Sequence, residues 1–247
     1  MDKITDLKSI KKIACELLKT PILKTDYSPM VVMHPFTNSG FVGYKNDFGK
    51  KELGNIVEDE KARSLWIEGL CKVINDCSSV YDVRLLVNKP YRLMFVDEIF
   101  DFLSPKDYAT LLVFAYIGTE NPLDDANMNK RKLISMFKKA NKEFLMDKED
   151  YARYSKLDEV VTIYRGVTED NKNNINALSW TLNYNTAKWF AERYGNERYI
   201  YRAQIDKNHI FAVNNRREEF EVIVDPKYLT NIELVEQYSK EDFEKGE

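Results

Sequence analysis

Apolar residues fall at helical spacing over most of this chain, and at strand-like alternation only near its end. Ile4, Leu7, Ile10, Ile13, Ala14, Leu17 and Leu18 mark a first helix, which Pro21 ends. The lysines between them read as the solvated side of an amphipathic helix. Met30 to Met33 and Phe41 to Tyr44 flank His34-Pro35-Phe36-Thr37-Asn38-Ser39-Gly40, which predicts two short strands joined by a turn-rich loop. Ala62, Leu65, Trp66, Leu70, Val73 and Ile74 give a helix from Glu58 to Ile74, and Tyr91 to Leu103 reads as a buried helix. Ser104-Pro105-Lys106-Asp107 is a helix start, with a capping serine, proline at the first position and an acid in the first turn. That helix runs to about Gly118. Thr119 to Asn129 is a polar loop. Lys130 to Leu145 is amphipathic through Leu133, Phe137, Ala140 and Phe144, and Tyr151 to Leu157 is a short helix.

The pattern then changes. Three strand-like pieces follow: Val161 to Gly166, Leu178 to Thr181, and Glu218 to Val224 ending at Asp225-Pro226. A helix over Asn185 to Arg193 follows the second. The fold class expected is α+β. Residues 1–95 form a mostly helical part with a short hairpin and no assigned role. Residues 96–247 form a second region: helices over 96–157, a strand core over 160–226, and a solvated tail or frayed helix around Lys240 to Lys245.

Composition narrows the classes. The 247 residues are 44% hydrophobic and 31% charged, enough to bury a sizeable core. A net charge of −3 argues against broad nonspecific binding to nucleic acid. Cys15, Cys71 and Cys77 form no CxxC pair, which reads as buried reduced thiols in a cytoplasmic protein. No signal peptide or membrane span is expected. Gly43 to Gly49 before Lys50-Lys51 misses the phosphate-loop spacing and lacks the following Ser or Thr. His34, beside a proline, reads as structural. No metal is expected: Cys71 and Cys77 lack further ligands, and Asp124-Asp125 reads as loop or cap chemistry.

The chemistry-bearing residues lie on the three strands. Residues two apart on a strand share a face, so Glu219, Glu221 and Ile223 face one way while Phe220, Val222 and Val224 bury together. Two glutamates side by side repel each other, and a strand serving only the core would not normally carry them; an edge strand with protective charges is the plain alternative. Ser179 and Thr181 share a face opposite Leu178 and Trp180. Arg165, at the end of the first strand, suits bidentate binding of phosphate or carboxylate, or a surface ion pair. Gly166 admits close backbone approach.

Taken together, Tyr164-Arg165-Gly166, Ser179-Trp180-Thr181 and Glu219-Phe220-Glu221 resemble the motifs of the Arg–Ser–Glu class of mono-ADP-ribosyltransferases. The resemblance covers roughly residues 100–226, is most specific over 161–224, and is similar to members found in bacteria and their phages. The resemblance implies a mixed β-sheet core with a cleft, and one departure is compactness, with only thirteen residues between Arg165 and Ser179, which implies a trimmed cleft. The resemblance implies transfer of ADP-ribose from NAD, with release of nicotinamide, to a macromolecular target. Protein arginine comes first, an RNA or DNA base second. It implies Glu221 at the ribose, Ser179 holding Glu221, Arg165 on NAD oxygens, Gly166 at the nicotinamide amide and Glu219 on the nucleophile. Tyr164 and Thr181 would line the NAD site, and Trp180, Tyr184 and Phe190 are candidates for stacking on nicotinamide. The loop Asn214-Asn215-Arg216-Arg217 would meet the target, with Asn215, Arg216 and Arg217 in contact. A toxin or effector role follows from the resemblance, which also admits an antitoxin or inhibitory partner and no membrane. Two rivals stand beside it: an NAD glycohydrolase with water as acceptor, and a binding protein with a degenerate transferase-like fold.

Overall fold

The computed structural model describes residues 3–119, 127–169, 174–193 and 198–238. The chain is α+β and packs as two compact units, 1–136 and 137–247. The sequence reading placed its boundary after residue 95. Among the described residues no helix is long and apolar enough to cross a membrane.

Unit 1 opens with α1 (Leu7–Leu17), capped by Asp6 accepting from Ser9 N–H and burying Ile10, Ala14 and Cys15. Then come β1 (Leu23–Lys24), β2 (Val31–His34), β3 (Thr37–Ser39), β4 (Phe41–Lys45) and β5 (Lys51–Asn55). The expected hairpin does not form. β2 pairs with β1 and β3 in one sheet while β4 pairs with β5 in another, because Thr37–Ser39 is itself a strand inside the supposed loop. Gly43 lies on β4, and Gly49, at φ 75°, makes the β4–β5 turn.

The helices α2 (Glu60–Asp76), α3 (Val80–Leu86), α4 (Arg92–Glu98) and α5 (Pro105–Gly118) complete the unit. Each of α2, α3 and α5 begins at a side-chain cap: Asp59, a Ser79–Asp82 capping box, and Ser104 accepting from Asp107 N–H. The buried helix expected over 91–103 is α4 with short 3₁₀ turns on either side. Cys15 and Cys71 are joined as a disulfide between α1 and α2, which corrects the expectation of three reduced thiols; Cys77 is free. α1 and α2 pack together, so helix packing rather than cysteine spacing brings the two sulfurs together. Asp124-Asp125 lies outside the described residues.

The division falls within α6 (Lys130–Lys139). The single helix expected to reach Leu145 ends at Lys139. Asn141 caps a separate α7 (Lys142–Leu145) by accepting from Glu143 N–H. α8 (Lys148–Ser155) follows, capped by Asp147.

Unit 2 is built on β6 (Val160–Thr168), β7 (Ser179–Thr181), β8 (Arg198–Asp206), β9 (Ile210–Asn214), β10 (Glu221–Val224) and β11 (Thr230–Tyr238). They form one sheet in the order β11-β8-β6-β7-β10-β9. Each adjacent pair is antiparallel, which corrects the expected mixed sheet. Three of these strands, β8, β9 and β11, lay outside the sequence reading, and β11 runs into residues assigned to the tail. Lys240 to Lys245 lies outside the described residues. α9 (Tyr184–Glu192), capped by Asn183, packs on β6.

Candidate active site

The registers of β7, β9 and β10 bring the site together. Ile223 pairs with Ser179, Glu221 with Thr181, and Glu221 with Asn214. Cross-strand partners share a face, so Ser179, Thr181, Glu221 and Asn214 project together. The opposite face is apolar: Trp180, Val213 and Val222 are buried there. Ser179 Oγ donates to Glu221 Oε1 at 2.7 Å, and Asn214 Nδ2 donates to Glu221 Oε2 at 3.2 Å. Both carboxylate oxygens are therefore held. Burial pushes the Glu221 carboxyl above the usual carboxylate range. The hydrogen bonds from Ser179 and Asn214 oppose that rise, Glu219 adds to it, and Arg217 opposes it.

Arg165 does not end its strand, as expected, but sits inside β6, which continues to Thr168. The β6–β7 ladder holds a single pair, Tyr164 with Thr181. Beyond it the two strands separate, and Arg165 spans the gap: Nη1 donates to Ser179 O at 2.6 Å and Nε to Asn174 O at 3.2 Å. The guanidinium thus fixes the strand that carries Ser179.

Gly166 has a packing reason to be glycine. A Cβ there would lie 1.8 Å from Ala187 O and 2.7 Å from Ala191 N of α9. Tyr164 and Tyr184, edge to face at 5.6 Å, pack against the same Ala187–Ala191–Ile200 cluster. Trp180, offered as a stacking candidate, is a core residue instead, 2% exposed with Nε1 donating to Ala177 O. Phe190 is half-buried beside Trp189. Thr181 is buried and donates its hydroxyl to Glu219 O at 2.7 Å.

Strand β10 starts at Glu221, not Glu218, so Glu219 and Glu221 are not neighbours on one strand face. Glu218 and Phe220 take φ of 59° and 47°, a left-handed turn that ends the alternation. Such values disfavour side chains and persist only where surroundings enforce them. Here Asn215 Oδ1 accepts from Phe220 N–H, and Leu182 N–H donates to Phe220 O. Asn215 is thus a turn residue, its own N–H directed to Asp150, while Arg216 and Arg217 are exposed.

Asn214 is the partner of Glu221 that sequence reasoning misplaced. It sits at the end of β9, 4% exposed, not in a target-facing loop. The available signal was the apolar run Ile210-Phe211-Ala212-Val213 before a polar turn, which marks a strand returning to β10.

Two hollows of this unit lie elsewhere, one of 270 Å³ lined by residues including Phe137, His209 and Tyr228, the other by Thr162, Arg202 and Glu233. Neither is lined by Glu221, and the site is marked by the polar side chains that converge on it. Among the described residues no group of three or more His, Cys, Asp or Glu could hold a metal ion.

The class defined is an α+β protein with a doubly held, partly accessible glutamate on an antiparallel sheet, next to a strand gap bridged by arginine. No protein-family model, curated protein or solved structure matches the chain.

Proposed function

We propose that unit 2 is an NAD-dependent mono-ADP-ribosyltransferase centred on Glu221. The observation that carries this reading is the convergence of Arg165, Ser179 and Glu221 on the adjacent strands β6, β7 and β10, with Ser179 Oγ 2.7 Å from the Glu221 carboxylate. Loss of nicotinamide from NAD breaks the ribose C1′–N bond. The electron pair leaves with nicotinamide and positive charge develops on the ribose, as in glycoside cleavage. A carboxylate already held in place needs no reorganisation to stabilise that charge, which is the arrangement electrostatic catalysis requires. Ser179 and Asn214 hold Glu221, and Arg165 brings positive charge to the NAD phosphates while its bonds to Asn174 and Ser179 fix its place. Glu219, in the turn before Glu221, accepts the proton of the incoming nucleophile. Arg216 and Arg217 face the target, with protein arginine favoured over a nucleic-acid base.

The test is incubation of the full chain with adenylate-labelled NAD and cell lysate, with Glu221→Gln as control, followed by protease or nuclease. Label removed by protease alone identifies a protein target, and label removed by nuclease alone a nucleic-acid target. Free ADP-ribose without labelled target means a glycohydrolase. Full activity of Glu221→Gln overturns the assignment of Glu221, and NAD left intact with every acceptor offered overturns the reading in favour of a binding protein.

A further inference from the structure

The two donors on Glu221 differ in kind. A serine hydroxyl can donate or accept, so Ser179 can serve either protonation state of the carboxyl. An amide NH₂ only donates. The orientation of the Asn214 amide is fixed independently, because Oδ1 accepts from Arg216 N–H at 3.3 Å and so turns Nδ2 toward Glu221 Oε2. The side chain is buried, and β9 pairs Asn214 directly with Glu221. A proton on Oε2 would set two donors against each other, so the acid must carry its proton on Oε1 toward Ser179 and leave at Oε2 a neutral carbonyl oxygen, a weaker acceptor than a carboxylate oxygen. This contact therefore favours the carboxylate over the acid.

We propose that Asn214 is a positioning residue for Glu221, holding it ionised and fixing the plane of its carboxylate through Nδ2. The other groups facing Glu221 are Ser179 and Thr181 from β7, and the charged Arg217 and Glu219 from the β9–β10 turn. Arg217 and Glu219 act in opposite directions, and Asn214 joins Ser179 in opposing the rise that burial causes. That an ionised Glu221 serves nicotinamide release rests on the transferase reading. The contact itself does not.

The experiment is a pH titration of the full chain by NMR, with ¹³C-labelled glutamate carboxyls and the Glu221 signal assigned through Glu221→Gln. In the wild-type protein the side-chain amide signal of Asn214 moves with the same midpoint as the Glu221 carboxyl. An amide signal that ignores that midpoint overturns the proposal without any variant. Asn214→Ala raises the Glu221 midpoint by about one to two pH units, the size of a hydrogen bond to a charged group. Asn214→Asp, which keeps the shape and the acceptor for Arg216 N–H, raises it further. An unchanged midpoint in either folded variant means that Asn214 only closes the turn. Nicotinamide release, followed across the same pH range, separates the two readings. If the midpoint moves and the wild type consumes no NAD, the positioning stands and the transferase falls. If NAD is consumed and the midpoint is fixed, the reverse holds.

Discussion

Two regions of this protein bury an ionisable side chain within β-pairing, and they do it differently. In unit 1, His34 at the end of β2 is 1% exposed. Its Nδ1 accepts from Phe36 N–H, two residues away, and its ring meets Trp66 edge-on at 5.4 Å. Its Nε2 faces the Leu18 and Thr20 carbonyls without an aligned hydrogen bond. Burial holds the imidazole neutral, with a pKa lowered to about 4. In unit 2, Glu221 is held at both oxygens by side chains, one of them 42 residues away in sequence, and remains partly accessible. The histidine is closed off, with one nitrogen held by a backbone N–H two residues away and the other without a bond, whereas the glutamate is gripped by side chains from two other strands and left partly reachable. Convergence of polar side chains from separate strands on an accessible group is the mark of a site. A closed-off ring held by backbone alone is the mark of a structural residue.

The largest expected effect is at Glu221. Glu221→Gln lowers ADP-ribose transfer by on the order of 10²–10³ with an unchanged far-UV circular dichroism spectrum, while His34→Gln leaves transfer intact. Equal losses in both would dissolve the distinction. Next is Gly166→Ala, whose methyl collides with the α9 backbone. It costs about 3 kcal/mol or more of stability in denaturant titration. A neutral result would mean that the glycine serves a ligand and not the helix.

His34 sets a pH dependence of its own. Its folded pKa is depressed, so the unfolded chain binds the proton first as pH falls from 6.5 toward 4. Stability is lost over that window, by up to about 3 kcal/mol. His34→Gln flattens the loss in melting curves recorded across those pH values; an undiminished loss would place the acid sensitivity elsewhere. The smallest effect is at Ser179. Ser179→Ala removes one donor from Glu221, lowers transfer about tenfold and moves the acid limb of the rate profile upward. The direction follows because the proposed transfer uses the ionised form, whose loss on acidification begins above the ordinary carboxylate value. A downward move would mean that Ser179 favours the acid.

Much of unit 1 was legible. The helix periods over 4–18 and 58–74, and the Ser104-Pro105 start, depend on residues three or four apart, and the structure has α1, α2 and α5 there. The strands were less legible. β9 is a short apolar run that periodicity alone does not tell from a buried helix segment, β11 carries polar and apolar residues without clean alternation, and the turn at Glu218 and Phe220 broke the alternation read through Glu219. Arg165, Ser179 and Glu221 could be nominated from residue types and order. Trp180 could not be sorted from Tyr184 and Phe190, because which aromatic is buried depends on the face each element turns inward.

What the sequence by itself determined is the local grammar: helices placed by apolar period, capped by Ser, Asp and Asn, and a switch to strands near residue 160. Only the tertiary structure decided that Cys15 meets Cys71, that Gly166 serves the packing of α9, and that Asn214 rather than Glu219 shares a sheet face with Glu221. The physical reason is range. Propensity and capping act within one turn of chain, whereas strand register is set by the summed packing of a whole sheet, and one residue of slip sends every side chain to the other face.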